Sequence, residues 1–67
     1  MGADLTGMDF SGLDLEGINL ANAILTNADL SGANLDYSIL TNARLDGANL
    51  SEADFKMANL NDVYMYN

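Results

Sequence analysis

A large apolar residue returns at every fifth position from Leu5 to Met65, passing through Phe10, Leu15, Leu20, Leu25, Leu30, Leu35, Leu40, Leu45, Leu50, Phe55 and Leu60. Two residues before each stands a small or apolar one: Ala3, Met8, Leu13, Ile18, Ala23, Ala28, Ala33, Ser38, Ala43, Ala48, Ala53, Ala58 and Val63. The register runs through thirteen pentads, residues 3–67, without an insertion. An internal repeat of this extent constrains the fold more than any other property of the chain. On an α-helix a step of five residues turns by ~140°, so the leucines would spiral round every face. On one continuous strand they would alternate between opposite faces. Neither backbone gathers them.

Within a pentad the small residue and the leucine are two apart, the spacing that puts both on one side of a short extended segment. The residue between them then points outward. The last two positions hold corner-forming types: Gly7, Gly12, Gly17, Gly32 and Gly47, with Asn22, Asn27, Asn42 and Asn67, all occupy the fifth. Each pentad is predicted to be one extended side followed by a corner. Four near-right-angled corners close a coil in about 20 residues, and Ser11, Ser31 and Ser51 recur at that spacing. Coils stacked by parallel β-type bonds ~4.8 Å apart make a solenoid, with leucines inside and stability drawn from neighbouring coils.

The pattern A-(D/N)-L-X-X, nearly unmodified in ADLTG, ADLSG, ANLDY, ANLSE and ANLND, resembles the pentapeptide repeat family across residues 3–67. The resemblance implies an all-β chain: a right-handed quadrilateral parallel β-helix of about three coils, four pentads to a coil. Residues 3–67 are then expected to form a single domain, with residues 1–2 as a leader. The thirteen large apolar residues, Met65 included, are expected to face inward. Family members include bacterial proteins that mimic DNA and protect topoisomerases, and many others, abundant in cyanobacteria, without assigned biochemistry.

Composition narrows the function classes. The chain has no cysteine and no histidine, which removes disulfides, thiolate metal sites and the commonest general base. The expectation is a non-enzymatic module without cofactor or metal. Ten acidic residues stand against Arg44 and Lys56, a net charge of −8. That balance opposes direct nucleic-acid binding, which needs clustered Lys and Arg. No secretory n- and h-region is found, and no apolar run approaches ~18 residues, so no membrane contact and a cytoplasmic location are expected.

Sorting the charges onto four sides gives an uneven surface. Side one (pentads beginning at 3, 23, 43 and 63) carries Asp4, Arg44 and Asp46; side two (8, 28, 48) carries Asp9, Asp29 and Glu52. Side three (13, 33, 53) carries Asp14, Glu16, Asp36, Asp54 and Lys56, and side four (18, 38, 58) only Asp62. The net charges are −1, −3, −3 and −1, so sides two and three are the acidic half. Asp36 and Lys56 share a column one coil apart, within reach of an exposed ion pair worth ~0–1 kcal/mol. Duplex DNA carries one charge per ~1.7 Å, hence about nine over the ~15 Å that three coils span. A DNA mimic acting on a type II topoisomerase such as DNA gyrase is thus one reading. Three coils reach less than half of a ~34 Å helical turn, so it requires an end-to-end dimer.

The other reading is a structural or protein-interaction module. Ile24, Ile39 and Tyr64 are apolar at the outward middle position, and Ile24 and Tyr64 share a column with Arg44 between them. Tyr64, Met65 and Tyr66 crowd the last pentad as a lid or a dimer interface. Met8, Leu13 and Ile18 replace alanine in the first coil, where they either plug the mouth or meet a partner. Expected partners are therefore a second copy, through one end, or another protein. Asn49-Leu50-Ser51 fits a glycosylation acceptor, a weak signal without secretion.

Overall fold

The computed structural model describes residues 2–66. One-residue parallel bridges join positions twenty apart in four columns: Asp4–Ile24–Arg44–Tyr64, Asp9–Asp29–Asn49, Asp14–Asn34–Asp54 and Asn19–Ile39–Asn59. The four columns are the four sides. Coil one is residues 3–22, coil two 23–42 and coil three 43–62; Val63 begins a fourth. The stack measures 22 × 20 × 18 Å.

A pentad with a coil on either side spends its backbone groups in a fixed way. The pentad at Ala23 is representative: the Ile24 amide donates to the Ala3 carbonyl at 2.8 Å, the Leu25 amide to Arg44 at 2.7 Å, and the Asn27 amide to Asp46 at 3.0 Å. A fourth bond closes the corner, from the Ala28 amide back to the Leu25 carbonyl at 3.0 Å. This turn needs positive φ at its third residue, the pentad's fifth. Every fifth position from Gly7 to Asp62 has it, with φ between 56 and 74°. Glycine and asparagine tolerate that region. Asp62 tolerates it as asparagine does; Tyr37, Glu52 and Met57 do not favour it, yet adopt it where the next residue's amide closes the corner, Ser38 to Leu35, Ala53 to Leu50 and Ala58 to Phe55.

The core lies in the middle of the stack. Ala23, Leu25, Ala28, Leu30, Ala33, Leu35, Leu40, Ala43 and Leu45 are buried. Ser38 takes an alanine's place there, and its buried hydroxyl has no hydrogen-bond partner among the described residues. Leu5, Phe10, Leu15, Leu20, Leu50 and Phe55 are half-buried against this cluster. Two of the expected core residues depart from it: Leu60 is 41% and Met65 56% exposed. A leucine in a solenoid is buried by the coils on either side of it, and no described coil covers these two. The first coil differs for the same reason. Met8 and Leu13 are about half exposed, whereas Ile18 packs on the core. Gly2 lies so close to the Asn22 carbonyl that any Cβ would collide with that backbone.

Candidate functional site

After these bonds one amide of each middle-coil pentad, that of the fourth position, has no carbonyl to donate to, and the fourth-position amides of the outer coils have none either. The outward middle residue answers it. Asp9 Oδ1 accepts from the Ser11 amide at 2.9 Å, and Asp29 Oδ1 from Ser31 at 3.0 Å. Asn19 serves Ala21, Asn34 serves Asp36, Asn49 serves Ser51 and Asn59 serves Asn61 in the same way, at 3.0–3.1 Å. Asp4 and Asp14 do so for Thr6 and Glu16, each at 3.2 Å. Asp and Asn bond their own backbone two residues on more readily than other side chains do. That is why they fill the middle position: they cap the corner.

The acidic half is largely engaged in this capping. Ser11 and Ser31 hydroxyls add 2.7 Å bonds to Asp9 and Asp29, as Thr6 does to Asp4. The hydroxyl, then the amide, holds the Asp4 and Asp9 carboxyls below the usual carboxylate value. Asp36 and Lys56 do meet one coil apart, but not as an ion pair: Asp36 Oδ1 accepts the Lys56 backbone amide at 3.0 Å. The amide is a fixed donor at the corner, whereas the ammonium sits on a flexible stem that water solvates. Glu52, at a corner, and Asp54 complete the acidic sides two and three. Among the described residues no cluster of acidic side chains has the arrangement to hold a metal ion.

Four middle positions are neither Asp nor Asn and carry no cap: Ile24, Ile39, Arg44 and Tyr64; Asp54 makes none either, because Asp36 already holds the Lys56 amide. All four lie on sides four and one, which meet along the corner at Thr41 and Asn42. Ile39 and Tyr64 are 39% and 46% exposed. Ile24 is half-buried rather than freely outward, because Asp4 and Arg44 flank it along its column. Arg44 Nε donates to Asp46 Oδ1 at 3.4 Å, and its guanidinium lies 4.6 Å from the centre of the Tyr64 ring. Tyr64 stacks on Tyr66 with centroids 6.4 Å apart. Burial acts to raise the Asp46 pKa, but its own amide, the Thr26 hydroxyl at 3.1 Å and Arg44 together hold it low. The Thr26 and Thr41 amides, left uncapped by Ile24 and Ile39, have no acceptor among the described residues. At the C-terminal end a cavity of about 160 Å³ is lined by Leu45, Gly47, Ala48, Leu50, Met65 and Tyr66. Column-sharing of Ile24, Arg44 and Tyr64 was legible in the sequence; the Arg44–Tyr64 contact and the open amides were not, since both depend on where the corner points its groups.

The family model for pentapeptide repeats matches residues 1–36 and 28–65, in eight copies. The chain belongs to the pentapeptide repeat family. Its four columns are thus the sides of the family's right-handed quadrilateral β-helix. Among solved structures, the pentapeptide repeat protein Rfr23 of the cyanobacterium Cyanothece 51142 is 36% identical with a TM-score of 0.87, over 92% of this chain and 43% of its own. A pentapeptide repeat protein of the Arabidopsis thaliana thylakoid lumen is 40% identical with a TM-score of 0.51, over 94% of this chain and 47% of its own. The chain therefore spans less than half the length of either. No curated protein sequence matches it. No helix among the described residues is long and apolar enough to cross a membrane. A pentapeptide repeat protein in a thylakoid lumen means that this architecture does not by itself choose a compartment.

Proposed function

We propose that this pentapeptide repeat chain is a non-enzymatic protein-interaction module that presents sides four and one to its partner. One observation carries the reading. The six middle positions of sides two and three are all Asp or Asn, while every exception, Ile24, Ile39, Arg44 and Tyr64, lies on the other two sides. Giving up a cap forfeits about 1 kcal/mol of hydrogen bonding, and Ile39 gains little burial in return. Local rules are broken in this way where a surface serves something outside the fold. The test is a photo-crosslinking side chain placed at residue 39 or, as control, at residue 9, in cells that express the protein. Adducts to another protein are expected from position 39. Adducts from position 9 alone would reverse the assignment of faces.

The acidic half supports a second reading, a DNA mimic that acts on a type II topoisomerase. The longest dimension, 22 Å, is short of a ~34 Å helical turn, so the mimic requires a second copy joined through Tyr64, Met65 and Tyr66. Light scattering and a gyrase supercoiling assay decide it. A doubled mass that Tyr66→Glu halves, with supercoiling inhibited, supports mimicry. A monomer that leaves gyrase unaffected at micromolar concentration removes it.

A further inference from the structure

We propose that this chain stacks head to tail, the first coil of a second copy seating on the third coil of the first as the next turn of the same β-helix. The contact uses the ends of the stack, not sides four and one. It therefore goes beyond the interaction reading and stands or falls apart from it.

Two observations lead there. The first is the polarity of the two open edges. At the C-terminal end the amides of Leu50, Glu52, Phe55, Met57, Leu60 and Asp62 have no acceptor among the described residues. At the N-terminal end the carbonyls of Asp4, Thr6, Asp9, Ser11, Asp14 and Glu16 have no donor among them. These positions are the ones that join coil one to coil two, where the Leu5 amide donates to Ile24 at 2.7 Å and Gly7 to Thr26 at 2.9 Å. An open edge of this kind is a template for a further strand. Head-to-tail contact sets donors on acceptors, whereas two C-terminal ends would set mostly donors on donors.

The second is the side-chain register. Val63, Tyr64 and Met65 already lie on side one of the fourth coil, so a second copy begins on side two, rotated by a quarter turn. Ala3 and Leu5 of the second copy then enter the cavity lined by Ala48 and Leu50, and the exposed Tyr66, which also lines it, swings outward to admit them. Phe10 of the second copy falls on Phe55, so the two phenylalanines of the chain share a column in this register. The half-exposed Met8 and Leu13 of the second copy fall on Ala53 and Ala58, large on small, and its Leu15 covers Leu60.

Charge and size set the conditions. A net charge of −8 opposes a second copy at long range, but the meeting rungs do not share that opposition. Asp4, Asp14 and Asn19 of the second copy lie over Asn49, Asn59 and Tyr64. Among the middle positions only Asp9 over Asp54 pairs two carboxylates, and the chain already stacks Asp9 on Asp29. Repulsion between the bodies is screened beyond ~8 Å at physiological ionic strength, so salt strengthens this association. An end face no larger than 22 × 20 Å is smaller than the ~800 Å² per partner of a standard interface, so the association is reversible.

The experiment follows the weight-average mass by sedimentation equilibrium up to about 1 mM protein, at about 0.05 and 0.5 M salt. The mass should climb from 7.1 kDa past twice that value, and further at the higher salt, because a heterologous contact does not close at two copies. Leu13→Glu blocks the N-terminal face and Met65→Glu, beneath Leu20 of the second copy, the C-terminal one. Each variant alone should stay monomeric, and their equimolar mixture should give a dimer and nothing larger. In ¹⁵N spectra of the parent chain the Phe55 and Leu60 amides should shift with concentration while those of the mid-stack Leu30 and Leu35 stay. A mass that holds at one copy in both salts, or Phe55 and Leu60 amides that ignore concentration, would overturn the proposal without any variant. A mass that stops at two copies and survives Leu13→Glu would overturn it too, and would join the C-terminal ends to each other, as the mimic reading requires.

Discussion

Ser38 and Met57 are two residues whose type and place disagree. Ser38 is 1% exposed, and its Oγ has no partner among the described residues. A buried hydroxyl without a hydrogen bond costs about 1–3 kcal/mol. Ser38→Ala, which restores the small residue of neighbouring pentads, should therefore raise unfolding stability by about 1–2 kcal/mol; a loss in denaturant titration would mean that the hydroxyl is satisfied. Met57 has φ of 56° and is 79% exposed, so its side chain contributes little packing to offset a left-handed backbone. Met57→Gly should stabilise by about 0.5–1 kcal/mol, the difference between the steric penalty and the extra chain entropy of glycine. A lower melting temperature would refute it. At this scale the sequence was partly legible. Glycine and asparagine at the fifth position announced corners, but Tyr37, Glu52 and Met57 carry no such mark, and their φ follows from their place in the repeat and the corner bond that closes behind them.

A single pentad is held by two independent systems, the ladder between coils and the cap within the corner. The cap was not legible, because it answers a backbone amide that only a full count of donors reveals. Its chemistry predicts a pH dependence. The folded-state pKa values of Asp4 and Asp9 are depressed by bonds from Thr6 and Ser11. A depressed carboxyl contributes stability that is present above its unfolded value, near 3.8, and is lost as pH falls through the lower folded value. Unfolding followed from pH 5 downward should thus show a decline that begins below about 4. Asp9→Asn keeps an oxygen for the Ser11 amide but cannot be protonated in this range. Its acid decline should be shallower than that of the parent, and an unchanged slope would mean that the Asp9 cap does not titrate with folding.

For the whole molecule, position in the stack sets what a core residue is worth. Leu30 has no exposure, with coils on both sides, while Leu60 is 41% exposed. Leu30→Ala should cost about 2–5 kcal/mol, the range for a buried leucine, and Leu60→Ala well under half of that. Equal costs in denaturant titration would place Leu60 in the core after all. The five-residue period made the solenoid, its four columns and its inward face readable before any coordinates. It could not rank the thirteen leucine-type positions, since identical letters at every turn say nothing about how many neighbours each turn has.

The separation between cap and ladder has a consequence for how such a surface can change. Cap bonds reach two residues along the chain, and ladder bonds run between coils from other atoms. A cap can be given up without loosening a single rung. Each pentad is therefore an independently rewritable tile: exchanging its Asp or Asn for Ile, Arg or Tyr exposes a backbone donor and changes the surface chemistry at one spot. A wall of tiles can drift in what it recognises, one substitution at a time, while the frame behind it stays the same.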